Sequence, residues 1–177
     1  MKAYHPNEAV IDQIKSVWLS KLFLHDCQVD TSFVSSERIK NLNAEYRDKN
    51  SVTDVLSFPQ FDFTNSPFTW ENPDNRRQLE ELSLRAGSSY HLGDVILCIE
   101  VAAKQADDIG HGVDREIAFL LGHGLLHICG HDHEDEKSEK LMLSQQKYLM
   151  GELETGKDSR TPLWSGCVAC KEGSSGS

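Results

Sequence analysis

The chain has 177 residues, 38% apolar and 26% charged, with a formal net charge of −10. That length suffices for one domain with a real core, and the acidic balance argues against a general duplex-DNA binder, whose affinity comes from neutralising phosphates. No run of eighteen apolar residues occurs, so no membrane span is expected, and the opening "MKAYHPNEAV" lacks the charged and apolar regions of a secretory signal.

Residues 7–25, "NEAVIDQIKSVWLSKLFLH", place Val10, Ile14, Val17, Trp18 and Leu22 at helical spacing, with Asn7 as the N-cap. "VDTSFVS" reads as a short strand, after which Ser35 or Ser36 caps a helix carrying Ile39, Leu42 and Tyr46. "VTDVLSF" is a second strand closed by Pro59, and "LGDVILCIE" is a third. Between them, residues 60–91 hold Pro67, Pro73, asparagines and mixed charges without periodicity; a long functional or unstructured connection is expected there. Residues 99–109 read as a helix ending near Gly110 and Gly112. Asp114 then caps "REIAFLLGHGLLHICG", whose apolar residues surround most of the circumference, so that this helix is expected to be central. "EDEKSEKLMLSQQKYLMGEL" is a last amphipathic helix with Leu141, Tyr148 and Leu149 inward.

These elements predict an α+β fold: a small mixed sheet of about three to four strands, a central helix and several flanking helices. One domain is expected over 1–155 and a flexible tail over 156–177, where "KEGSSGS" has linker composition. The five cysteines, Cys27, Cys98, Cys129, Cys167 and Cys170, are odd in number and scattered, which points to a reducing compartment such as the cytoplasm. Cys167 and Cys170 form a C-x-x-C pair without the second pair that a zinc ribbon needs.

The stretch "GHGLLHICGHDH" concentrates four of the eight histidines. His123 and His127 lie four residues apart, roughly 6 Å along one helix face, so both imidazoles can reach one ion. A straight helix cannot return residue 133 to that point, but Gly130 can end it with a left-handed turn that brings His133 back. Three imidazoles with one position left open is the arrangement of a catalytic zinc site, and one zinc per chain is expected. His131 is the spare, expected to point away toward the surface or behind the ligands. Asp132 and Asp135 read as solvated acids. The spacing resembles that of metzincin proteases, which carry a glutamate directly after the first histidine as general base; here Gly124 stands there, so proteolysis is disfavoured.

The same stretch, "HGLLHICGHDH", is similar to the motif H-G-x-L-H-x-x-G-[aromatic]-D-H of the YbeY family of rRNA-maturation endoribonucleases, with His131 in place of the aromatic. "LNAEYRDKNSVTDVLSFP" and "LGDVIL" match two further family segments, and the resemblance spans roughly residues 28–150. Two features differ: only "MKAYH" precedes the first helix, where the family has a strand, and the stretch between Pro59 and Leu92 is longer. The resemblance implies a metal-dependent RNase that cuts single-stranded rRNA precursors and works with the ribosome or its small subunit in maturation and quality control. It implies zinc ligands at His123, His127 and His133, and places Arg47 and His123 in the catalytic set. A guanidinium suits a phosphodiester transition state because it pairs bidentately with added negative charge. The plain alternative for Arg47 is a surface ion pair with Glu45 or Asp48. Arg38, Lys40, Arg47 and Lys49 give residues 37–49 a net +1, while Arg76, Arg77 and Arg85 read as a solvated loop that could also touch RNA.

Two other functions compete. One is a metal-dependent hydrolase of another class, including a degenerate peptidase; Gly124 argues against the peptidase. The other is a ribosome-associated binding module with structural zinc, against which the open fourth position argues.

Overall fold

The computed structural model describes residues 4, 6–63, 65–87 and 89–154. The 156–177 tail, with Cys167 and Cys170, lies outside the described residues. The Asn7 side chain accepts from the Ala9 and Val10 amides and starts α1 (Glu8–Lys21), which buries Ile11, Ile14, Trp18 and Leu19. β1 (Cys27–Val34) follows, and Ser35 rather than Ser36 caps α2 (Ser36–Arg47). Helix α2 stops where Asp48 turns left-handed at φ 55°. β2 (Val55–Pro59), α3 (Pro73–Ala86), β3 (Tyr90–Cys98), α4 (Ile99–Ile109), α5 (Val113–Ile128) and α6 (Glu136–Glu154) complete the order. No strand precedes α1 among the described residues.

The sheet has three strands in the order β1-β3-β2, with β1 parallel and β2 antiparallel to β3. This is the mixed α+β sheet that the sequence predicts. Ladder bonds from Cys98 N to Asp54 O and from Gln60 N to Leu92 O fix the alternation along β2. Ser57, an odd position between them, therefore turns its backbone away from β3 toward the free edge.

Each sheet face has its own cover. Ile39 and Leu42 of α2 pack with Leu56 and Cys98 on one face. On the other, α5 lies against β2 and β3 and is flanked by α1, α4 and α6. Ten of its residues are buried, including Leu120, Leu121, Leu125 and Leu126. Trp18 ties the outer helices together, its indole N–H donating to the Leu149 carbonyl at 2.8 Å.

Three expectations need correction. Residues 60–91 are not an unstructured connection. Phe63 and Phe68 are buried, and Asn72 with Pro73 at the first turn starts α3, closed by Gly87 in the left-handed region. Only Asn75 and Leu79 of α3 are buried, so the helix has almost no apolar stripe to betray it. Secondly, α5 is capped by Gly112 rather than Asp114; Asp114 sits in the first turn and accepts from the Tyr4 hydroxyl. Thirdly, α6 turns Met142, Gln146, Leu149, Met150 and Leu153 inward, leaving Leu141 and Tyr148 exposed. A buried glutamine in the stripe shifts the apparent phase of the helix.

Helix α5 meets the sheet at Gly124. A Cβ there would lie 2.7 Å from Val95 Cγ1 and 3.1 Å from Ser57 Oγ. Val95 is fully buried and β-branched, so it cannot swing aside cheaply. Gly124→Ala should therefore lose about 1–3 kcal/mol to overpacking, against a helix-propensity gain of about 1 kcal/mol. Urea denaturation should show a net destabilisation, and a variant more stable than wild type would show that no such crowding exists.

A three-histidine centre beside Arg47

The site is assembled at the C-terminal end of α5. His123 and His127 project from one face, and their Nε2 atoms lie 3.0 Å apart. Gly130 then takes φ +85°, and its N–H donates to the His127 carbonyl at 3.0 Å, reversing the chain. The turn is braced from outside: the Phe68 amide donates to the Cys129 carbonyl at 2.8 Å, and a Cβ at residue 130 would meet Ser66 Oγ at 2.7 Å. His133 returns on the far side, its ring centroid 6.0 Å from that of His123 and 5.3 Å from that of His127. One ligand atom from each of the three lies within 4.8 Å of the others. His123 and His127 are half-buried while His133 is exposed, so the centre has a buried floor and an open mouth.

The unused ring nitrogens are held. His127 Nδ1 donates to the His131 carbonyl at 2.9 Å, which leaves the Nε2 lone pair pointing into the centre. His123 Nδ1 donates to Gln146 Oε1 at 3.4 Å. The Gln146 amide is fixed in turn, its Nε2 donating to the Phe119 carbonyl at 2.9 Å. This backing is what metal-ligating histidines generally need to fix their tautomer. Burial, reinforced by the neighbouring His123, pushes the His127 imidazole down to about 4. Burial also lowers His123, where the Gln146 hydrogen bond acts in the opposite sense. Both rings are therefore neutral at pH 7, the form that ligates metal.

Zinc bound tetrahedrally at 2.0–2.1 Å places ligand nitrogens roughly 3.3 Å apart. The His123 to His127 spacing already approximates that, and an all-imidazole donor set suits zinc. The three residues that the sequence singled out are thus brought together.

Of the two places expected for His131, at the surface or behind the ligands, the first is excluded: the residue is buried, and burial lowers its pKa. Its carbonyl accepts from His127 Nδ1 and so orients that ring. Asp132 and Asp135 are exposed, as expected; Asp135 caps α6 by accepting from Lys137 and Ser138.

Arg47 ends α2 with an exposed side chain, and its Nη2 donates to the Ser57 carbonyl at 3.0 Å. Neither Glu45 nor Asp48 forms an ion pair with it among the described residues. Its charge contributes to the lowering of His127, so the guanidinium and the centre share one electrostatic neighbourhood. Arg76 and Arg77 are turned to local partners: Arg76 donates to the Trp70 carbonyl and lies over its ring, and Arg77 pairs with Asp74.

Gln146 escaped the sequence reading. Its one signal is a polar residue on the otherwise apolar stripe Met142, Leu149, Leu153.

The family model described as Endoribonuclease YbeY matches residues 4–154. A relative named Endoribonuclease YbeY from Thermoanaerobacter sp. (strain X514) is 33% identical over 155 residues, covering 88% of this chain and 92% of that protein. Another of the same name from Staphylococcus epidermidis (strain ATCC 12228) is 35% identical over 150 residues, covering 81% and 84%. The solution structure of TM1509 from Thermotoga maritima is similar in fold, with a TM-score of 0.55 and 22% identity over 86% of each chain. With its histidine centre, its arginine and these matches along nearly all the described residues, the chain belongs to the YbeY family of endoribonucleases.

Proposed function

We propose that this protein is a zinc-dependent endoribonuclease that cuts single-stranded ribosomal RNA precursors, working with the ribosome in its maturation and quality control. The observation that carries the reading is the open three-histidine centre with Arg47 held in its electrostatic field. The ribosome or its small subunit is the expected partner, in the reducing cytoplasm that the scattered cysteines favour. No described helix is long and apolar enough to cross a membrane. The net charge of −10 disfavours duplex DNA.

His123, His127 and His133 would hold one zinc ion. When bound, zinc supplies Lewis acidity toward phosphate and water. The chain's residues do the rest. Ser57 O anchors one nitrogen of Arg47, and the remaining guanidinium donors are available for two phosphate oxygens at once. Gln146 and the His131 carbonyl hold the ligand tautomers. Residue 124 faces Val95 and Ser57, so a glutamate there would run into the sheet; the helix has no room for a protease-type base at that position.

Zinc analysis tests the centre. The purified protein should carry about one zinc per chain, and a chelator should abolish RNA cleavage. His127→Ala should lose the metal, and full occupancy in that variant would remove the assignment. Gln146→Leu should still bind at saturation, with affinity weakened about 10- to 100-fold, read by competition with a chromogenic chelator.

Arg47 is tested separately. Arg47→Ala should bind zinc normally and melt within about 0.5 kcal/mol of wild type, as exposed substitutions do. Its single-turnover cleavage should fall more than about tenfold, or 1.4 kcal/mol. Arg47→Lys keeps the charge without the planar fork and should recover only part. Wild-type rates in Arg47→Ala would leave the metal site standing and take the arginine out of the reaction.

A further inference from the structure

Tyr46 is the most open of the exposed aromatic side chains among the described residues, 60% exposed against 46% for Tyr148 and 45% for Phe23. It immediately precedes Arg47 in the last turn of α2. The turn is held: Asp48 takes the left-handed conformation and the Lys49 amide donates to the Asn43 carbonyl at 3.2 Å. Tyr46 and two cations, Arg47 and Lys49, are thereby exposed in one turn, interleaved with the exposed acids Glu45 and Asp48.

The ring itself has a firm abutment. It meets Phe58 edge to face, centroids 5.3 Å apart and planes at 75°. Phe58 is packed against Ile39, Leu42 and Leu56, so it does not yield. Tyr46 thus rests on Phe58 while Arg47 grips the carbonyl of Ser57, the preceding residue of β2. The Tyr46 ring and the Arg47 guanidinium contact successive residues of β2, one through a side chain on the α2-covered face and the other through an edge carbonyl. A flat ring beside a phosphate-gripping arginine is the combination that single-strand binders use: a cation on the backbone and an aromatic under the base. In a chain of net charge −10, phosphate neutralisation alone gives little affinity, and stacking compensates without reading sequence.

We propose that Tyr46 is a nucleobase-stacking site that holds the unpaired base next to the phosphodiester gripped by Arg47. The inference rests on the endoribonuclease reading and deepens it. Bases in a duplex are already stacked on both faces and cannot lie on Tyr46, so the site supplies a preference for single strands.

The test is single-turnover cleavage of a labelled single-stranded oligoribonucleotide by the zinc-loaded protein, with Tyr46→Ala, Tyr46→Phe and a substrate series carrying one abasic ribose near the cut. Tyr46→Ala should raise the half-saturating RNA concentration by about tenfold or more, with the saturating rate within about threefold of wild type. Tyr46→Phe keeps the π face and should stay within about twofold of wild type. An abasic ribose at one position should cost wild type the same factor and cost Tyr46→Ala nothing further. Unchanged half-saturation in Tyr46→Ala, a Phe variant as impaired as the Ala variant, or Ala and abasic defects that multiply would each overturn the stacking site. Should wild type cut no RNA at all, the nuclease reading falls. Fluorescence anisotropy of the same oligonucleotide then judges Tyr46 alone: weaker binding by Tyr46→Ala but not by Tyr46→Phe upholds the site, and equal binding by all three removes it.

Discussion

The site depends on how closely α5 can approach the sheet. The contact is made at Gly124, where Val95 and Ser57 occupy the space that any side chain would need. Because the approach is close, the helix is covered on most sides, and the two histidines on its remaining face are half-buried. Burial, with the neighbouring imidazoles acting in the same sense, then lowers both imidazoles, and His127 is the more strongly affected. A neutral ring offers a lone pair without first losing a proton, so the packing of a helix on a sheet leaves these imidazoles in a form that could ligate a metal. The same contact sets Ser57 between the helix and Arg47: its side chain faces α5 and its carbonyl holds the guanidinium. One strand residue thus links the two functional groups.

Assembly of the third ligand is a separate constraint. Gly130 reverses the chain at a φ that residues with a Cβ rarely adopt, and Ser66 fills the room beside it. The segment before α3 therefore has a definite task. Its aromatic residues Phe63 and Phe68 enter the core, and Phe68 bonds the backbone just ahead of the turn. The stretch between β2 and α3 thus supports the turn at Gly130 from outside.

How much of this the sequence revealed follows from the range of each interaction. The histidine centre was legible because helical spacing and one glycine turn are local: His123, His127, Gly130 and His133 span eleven residues. Among the described residues, five of the six helices and all three strands were legible, because an apolar face repeats with its period, as in α1 and β3. Helix α3 was hidden because it buries only two side chains and so writes almost no period. The phase of α6 was misjudged because Gln146 occupies a core position for the sake of His123, a contact 23 residues away. The choice between the two places expected for His131 stayed open for a similar reason: only its packed surroundings determine that an imidazole lies inside. The polar residues that serve the site look like errors in the apolar pattern until the site is assembled.

The free edge of β2 is the remaining cost of this design. An unpaired strand edge invites association with other chains. Here the edge is left without a fourth strand among the described residues. The chain limits the exposure by other means. β2 is only five residues long and ends at Pro59, a residue suited to an edge. Its outward carbonyl at Ser57 is taken by Arg47, a charged side chain that a neighbouring strand would have to displace. The arginine thus has two physical effects at one position: it satisfies and guards the edge with one nitrogen, and keeps its other donors for an anion. A strand short enough to stay unpaired leaves the Arg47 guanidinium uncovered at this edge.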